Sequence, residues 1–523
     1  MSNITKGNIT LDKKIARETT QYLHEGEIIV PDNKPDIASL LISDANVLIE
    51  RAEAGSGRVA YTGLLLLNVS YLARGATKQV CGLKASHTVD DFLNMEEITP
   101  ASTAEVSAVI ENVEYKVIND RKIGFRAVLS VAAAGITKET SEIITDIDGE
   151  GIGASQLLKS ELKINKYILS RRETVTAGED ITLSAGKPNI REVLWCGVTV
   201  VGRDVKTTRG KASVSGTLNV NILYKGDDDK TPLYIEQEIP YTVSAESDEL
   251  TENQFADVNV YAGETNVNVK PDVDGEDRVL SVEAAVNASF NIYALDSLQV
   301  LEDAYSLNQT AKIEKSEVKY SKLICRNKNQ TQIKEVITLP PESPEVLQIF
   351  RAKGDVFLDE TKVIDDKVIA EGFIKCDVLY IAGSDETPLY SYKCDIPYRQ
   401  VIETKGARAG CIVHIESVIE HAGVNMLSGK EAELRFLLCF NVSVSEERSG
   451  AMITSIEFTD MTREELAAAP SMVIYTAQKG DTLFNVAKKY NTTTDDIASI
   501  NEIEPTDKIF AGQKFLIVKR TNL

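Results

Sequence analysis

The sequence has little of what metal-dependent and nucleophilic enzymes require. Only four histidines occur in 523 residues, and none stands at ligand spacing with a cysteine pair, so a zinc site has little support. No GxSxG, HExxH or Walker sequence is present, which removes the commonest motif-borne hydrolase and phosphoryl-transfer chemistries. Long apolar runs are missing too. Leu64–Leu67 and Phe436–Phe440 fall far short of the about 20 residues that cross a bilayer. The opening MSNITKGNITLDKK has no apolar stretch and no small-residue cleavage site, so a signal peptide is not expected. The expectation is a soluble protein that stays in the compartment where it is made. Seven cysteines (81, 196, 325, 376, 394, 411, 439) are spread without CxxC spacing, and their count is odd. Reduced thiols acting as small buried hydrophobes are expected, not a disulfide framework. No metal, cofactor or catalytic residue is expected.

What is present is an ordinary globular composition with an acidic balance. Hydrophobic residues make up 43% and charged residues 26%, with a net charge of −22. The first two values argue against wholesale disorder. The third repels phosphate and makes nucleic acid or an anionic membrane an improbable direct partner.

The body of the chain repeats. KPDI at 34–37, KPNI at 187–190 and SPEV at 343–346 set prolines 153 and then 156 residues apart. Gly63, Gly216 and Gly372 keep the same two offsets, as do Tyr71, Tyr224 and Tyr380. TPLY recurs at 231–234 and 387–390, IPY at 239–241 and 396–398, and SELK at 160–163 returns as SEVK at 316–319. Anchors kept in one order imply tandem units. The divisions read from them are 1–159, 160–315 and 316–460, then a linker at 461–471 and a module at 472–523.

Each unit reads as strand. GTLNVNILY and GFIKCDVLY alternate with period two, and the KGDDDKT and IAGSDET stretches that follow carry hairpin chemistry. The prolines of TPLY and IPY belong on edge strands or at strand starts. Copy one has QVCGLKASHTV where the others have PLY…IPY, so its second hairpin strand is expected with a different surface. Short helices are expected at Gly153–Leu162 and Leu298–Leu307, and TREELAAA before Pro470 favours another. The fold class expected is mainly β: three β-rich domains of about 150 residues each, followed by a small βααβ domain.

Four further patterns carry less weight. GEGIG (Gly149, Gly151, Gly153) follows an acidic stretch that repels phosphate, and it reads as a turn between units. Asp146, Asp148 and Glu150 mimic the start of a calcium loop, but Leu157 stands where the bidentate glutamate belongs. His414 and His421, seven apart in an alternating run, are expected on opposite faces of a strand. The repeated tyrosines are expected to fill the core or a sheet edge.

The C-terminal segment reads as strand Val473–Thr476, a GDT turn, and a helix capped by Thr482 with Leu483, Val486, Ala487 and Tyr490 inward. A second helix capped by Thr494 follows, with Ile497 and Ile500 inward, then an AGQ turn and strand Phe515–Val518. It resembles a LysM domain on Gly480, Asp481, Thr482, Leu483, Val486, Ala487, Asn501, Ile509, Gly512, Gln513 and Ile517. Phe515 replaces the usual leucine, and Val518 stands where proline is common. The resemblance implies a shallow groove that binds N-acetylglucosamine glycans. Gly480, Asp481, Thr482 and Leu483 would face Ile509, Phe510 and Ala511, with Asn501 closing the second helix. The segment holds seven Lys/Arg and six Asp/Glu, which leaves −23 for the rest of the chain.

Three such repeats followed by LysM resemble the clostridial SipL family of spore-coat morphogenetic proteins, whose repeats are SPOCS domains. The resemblance implies a mother-cell protein at the forespore surface, within the spore coat. It would bind the coat ATPase SpoIVA and other spore-coat proteins, with LysM contributing to that contact. The alternative it leaves open is a LysM-mediated peptidoglycan-binding protein of the cell wall or cortex.

Overall fold

The architecture is that of a computed structural model, which describes residues 3–75, 79–148, 155–227, 232–384, 386–462, 464, 471–505 and 508–518. The first repeat runs β1 (Asn3–Ile29), β2 (Ile37–Ala54), β3 (Arg58–Ala73), β4 (Val80–Asn94), β5 (Thr103–Asn119) and β6 (Lys122–Asp148). The second runs β7 (Ser155–Thr182), β8 (Ile190–Thr208), β9 (Lys211–Gly226), β10 (Leu233–Glu246), β11 (Phe255–Pro271) and β12 (Asp277–Ser306). The third runs β13 (Gln309–Thr338), β14 (Val346–Ile364), β15 (Lys367–Ala382), β16 (Leu389–Glu403), β17 (Ile412–Met426) and β18 (Glu431–Asp460). The expected divisions at 160 and 316 therefore fall inside β7 and β13, and the strands place them after Asp148 and after Ser306.

In every repeat the six strands form two three-stranded antiparallel sheets: β2-β3-β4 with β1-β6-β5, and their counterparts in the other two. Period-two alternation turns one face of each sheet inward, and the two inner faces share a core. Leu65, Leu67 and Val69 of β3 meet Phe125, Ala127 and Leu129 of β6 in the first repeat. Leu218, Val220 and Ile222 meet Val286, Ala288 and Phe290 in the second. Each fully buried aliphatic contributes about 1.5–3 kcal/mol against the cost of ordering the chain.

The repeated anchors are contacts. Tyr71, Tyr224 and Tyr380 are all fully buried. The Tyr71 hydroxyl donates to the Pro35 carbonyl at 2.8 Å, and that of Tyr380 to the Pro344 carbonyl at 3.1 Å. Tyrosine and proline keep one offset because they touch. The glycines have an equally direct reason. A Cβ at Gly63, Gly216 or Gly372 would lie 2.3, 2.4 or 2.0 Å from the carbonyl oxygen of Leu48, Gly202 or Phe357. Bulges in β2, β8 and β14 push those carbonyls toward the glycines. The IPY tyrosines complete the device, since Tyr241 donates to the Gly202 carbonyl at 3.1 Å and Tyr398 to the Phe357 carbonyl at 3.0 Å. In the first repeat Val89 faces Gly63 at that position, which is why copy one shows no IPY.

The hairpins form as expected, with Tyr224 opposite Leu233 and Ile381 opposite Leu389. Residues 228–231 and 385 at their tips lie outside the described residues. Pro240 and Pro397 sit on the edge strands β10 and β16. β4 retains the second hairpin strand in copy one. Two expected helices are strands instead: Ser155–Leu162 belongs to β7 and Leu298–Ser306 to β12. The helix-like spacing of Val300, Leu301, Ala304 and Tyr305 comes from a bulge at Glu302, which shifts the buried positions by one. TREELAAA and GEGIG lie almost wholly outside the described residues.

The repeats do not stand apart. Beyond the sandwiches, β1/β6, β7/β12 and β13/β18 continue as two-stranded ribbons, each with a one-residue bulge at Thr145, Glu302 or Thr454. The ribbons pack together through residues at matching positions. Ile143, Val300 and Met452 share one cluster, and Ile144, Leu301 and Ile453 the next. At the sandwiches, Ile42, Trp195 and Arg351 occupy the same position in successive repeats and meet at the centre. The body is thus an approximate threefold assembly within one chain.

The C-terminal module is β19 (Met472–Thr476), α1 (Leu483–Tyr490), α2 (Thr494–Ile500) and β20 (Lys514–Val518), the expected βααβ. Thr482 caps α1 as expected, accepting from the Asn485 amide at 3.1 Å. Thr493, not Thr494, caps α2 by accepting from the Asp496 amide at 3.0 Å. Ile497 and Ala498 are its buried residues, and Ile500 is only half-buried.

Candidate functional site

Two loops of the C-terminal module lie side by side. The Gly512 amide donates to the Ala477 carbonyl and the Ala477 amide to the Gln513 carbonyl, both at 2.8 Å. These bonds tie the loop after β19 to the loop before β20. Gly480 (φ 97°) and Gly512 (φ 91°) occupy the left-handed region, where a side chain is strained.

The residues expected at the groove divide by role. Asp481 accepts from the Tyr475 hydroxyl at 2.6 Å and the Gln478 amide at 2.8 Å. The Tyr475 bond is the main reason its carboxyl is held below the ordinary range, and the same bond pushes Tyr475 up to about 12. Thr482 is exposed and engaged as the cap. Leu483 is buried in the module core. Asn501 is a structural clamp: its Nδ2 donates to the Ile497 and Leu516 carbonyls, and its Oδ1 accepts from the Leu516 amide, all at 2.8 Å. Ile509 packs on the core, while Phe510 is 72% exposed and Ala511 is exposed beside it. The Phe510 amide donates to Gln513 Oε1 at 3.1 Å, which fixes the turn that presents the ring. Gly480 and Thr482 are thus exposed on the first loop and Phe510 and Ala511 on the second, Asp481 is half-buried, Leu483 lies in the core and Asn501 ties the second helix to β20.

The module is seated on the body through α1 and the turn after it, a feature the sequence reading missed. The Tyr305 hydroxyl of β12 donates to the Thr492 carbonyl at 2.7 Å, and its ring meets Phe484 edge-on at 5.1 Å. Lys488 Nζ lies 2.7 and 2.8 Å from the two carboxylate oxygens of Asp303. Asn491 Nδ2 donates to the Leu307 carbonyl at 2.8 Å. The available signal was Phe484, an aromatic beside Leu483 at the start of α1. Tyr475, whose hydroxyl orders Asp481, was also missed, since it reads simply as a strand residue.

The other candidates do not gather into a site. Asp146 is paired with Lys159 at 2.8 Å on the outside of a ribbon. His414 and His421 do not lie on opposite faces as expected, because a bulge at Glu420 puts both on one face, opposite Ser443 and Leu437. Six partner positions at the strand rise separate them by about 20 Å, too far to share an ion. Among the described residues no group of three His, Cys, Asp or Glu could hold a metal ion, and no helix is long and apolar enough to cross a membrane. A cavity of about 410 Å³ sits where the three repeats meet. There Asp44 is 3.0 Å from Arg351 Nη1 and 3.7 Å from Lys353 Nζ. Burial opposes the Asp44 charge, but the two cations hold its carboxyl down at about 2.

No solved structure matches the chain. The SipL, SPOCS domain family matches residues 36–118, 189–270 and 345–427. Each match runs from β2, β8 or β14 through β5, β11 or β17, leaving the long ribbon strands outside. The LysM domain family matches residues 475–518, so the two families together cover more than half of the chain. SPOCS and LysM domains are typically non-catalytic binding domains, and their combination fits a sporulation-coat adaptor or a cell-wall-binding protein. With three SPOCS-domain matches in a threefold body and a LysM-domain match seated on its ribbons, the chain has the domain architecture of the SipL family.

Proposed function

We propose that the chain is a non-catalytic adaptor of the spore coat. Its LysM groove docks the basement-layer coat ATPase SpoIVA, and its acidic repeats engage further coat proteins. Its place of action is the mother-cell cytoplasm, at the forespore surface. The observation that carries this reading is the seating of LysM. One side is fixed to the body through Tyr305, Asp303 and Phe484, so the exposed loops and the repeats form one platform able to hold several partners in fixed relation. The module carries a net +1 against −23 elsewhere, which makes it the one region not repelled by an acidic partner.

A second reading, peptidoglycan binding, is favoured by Phe510, an exposed ring of the kind that packs on a sugar face. The two separate in parallel measurements on the full chain, one titrating it onto immobilised SpoIVA and the other sedimenting it with purified peptidoglycan. Saturable binding to the ATPase with none to the glycan is expected. Glycan binding without ATPase binding removes the adaptor reading in favour of the second.

A further inference from the structure

Of the seven cysteines, two stand directly opposite each other. Cys376 on β15 and Cys394 on β16 are register partners; no other cysteine faces a cysteine across a described strand pair. Partners in an antiparallel pair have Cα atoms about 4.5–5.5 Å apart, within the about 4.4–6.8 Å that a disulfide spans. Both thiols lie on the inner face of the sheet, in line with Ile374 and Val378 on one strand and Ile396 and Tyr398 on the other.

Their exposures differ. Cys376 is fully buried on the central strand, while Cys394 is half-buried because β16 is the sheet edge. The two thiols interact side chain to side chain. That contact first, then burial, pushes the Cys376 thiol up, while the same contact draws Cys394 down. The equivalent pairs are Val220 with Gln237 in the second repeat and Leu67 with Ala85 in the first. The dithiol is thus a property of the third repeat alone.

We propose that Cys376 and Cys394 form a redox-active dithiol site that takes small-molecule disulfides and closes a cross-strand bond. The accessible Cys394 thiolate attacks one sulfur of the disulfide, forming a mixed disulfide and releasing the first thiolate. That thiolate takes the proton from Cys376. The Cys376 sulfur then attacks Cys394 Sγ and expels the second small thiol. One small disulfide is reduced to two thiols, and two protein thiols become one disulfide. The bond staples the β15–β16 hairpin of the third repeat, whose tip lies between the two cysteines.

The test treats the native full chain with oxidised glutathione, blocks remaining thiols by alkylation, and maps peptides by mass spectrometry. Two of the seven thiols are expected to be lost. A single linked peptide should join Cys376 to Cys394, with no glutathione retained, and dithiothreitol should reverse it. In Cys376→Ser the reaction is expected to stop with one glutathione on Cys394. Glutathione remaining on Cys394 of the unsubstituted chain, links to other cysteines, or both thiols still alkylated would overturn the proposal. Because the unsubstituted chain decides the matter, a folding defect in the variant leaves the test intact.

Discussion

The repeated glycines show how one missing side chain organises a sheet. At Gly372 a Cβ would fall 2.0 Å from the Phe357 carbonyl, which also accepts from Tyr398. Gly372→Ala must push that carbonyl away and break the tyrosine bond, a loss of about 2–3 kcal/mol read by denaturant unfolding. Gly186→Ala is the control. Nothing lies within 4 Å of a Cβ there, and a change within about 0.5 kcal/mol is expected. Asp44 supplies a pH signature. Its folded pKa of about 2 lies below the ordinary 3.8. Its contribution is therefore complete above the ordinary value and is lost as pH falls from there through about 2. The shift corresponds to roughly 2 kcal/mol. Asp44→Asn is expected to cost about 3 kcal/mol at neutral pH by leaving Arg351 buried without its partner. It should also flatten the stability decline below about pH 4 relative to the unsubstituted chain, as unfolding curves across pH will report.

At the scale of elements, alternation was legible and bulges were not. GTLNVNILY announced β9 because Leu218, Val220 and Ile222 alternate with polar neighbours, even though both faces are buried from Val220 to Tyr224. Leu298–Leu307 suggested a helix because the Glu302 bulge moves the buried positions by one, and spacings of one, three and four then imitate a helical period. The same blindness put His414 and His421 on opposite faces when the Glu420 bulge unites them. The LysM helices were legible because threonine caps and apolar stripes act locally, and only the second cap slipped, by one residue. The seat of α1 was not legible, since Asp303 and Tyr305 are distant in sequence and act through β12. Asp303→Ala leaves Lys488 without its carboxylate, so amide exchange across α1 is expected to rise about tenfold with the repeats unchanged. Unchanged exchange would mean that the Tyr305 and Asn491 contacts hold the seat without Asp303.

Across the whole molecule, the sequence showed that there are three copies, and the structure shows why they share one chain. Ribbon positions such as Ile143, Val300 and Met452 share one buried cluster with Leu11, Leu162 and Ile164, so each repeat completes its apolar contacts with the other two. The divisions between repeats were misplaced because SELK and SEVK, though repeated, lie inside continuous strands. In the LysM module, the two loops that lie side by side were readable from the motif. The split between exposed Phe510 and the half-buried clamp Asn501 needed the fold, because the contacts that engage Asn501 are made in three dimensions. The adaptor reading turns on that exposed surface. Its most direct test is the Kd of the full chain for SpoIVA, measured for the unsubstituted protein and for Phe510→Ala, with α1 exchange confirming that the module stays seated. Binding weakened at least about tenfold, the cost of a central aromatic anchor, is expected. An unchanged Kd, with peptidoglycan sedimentation abolished by the same substitution, would contradict it.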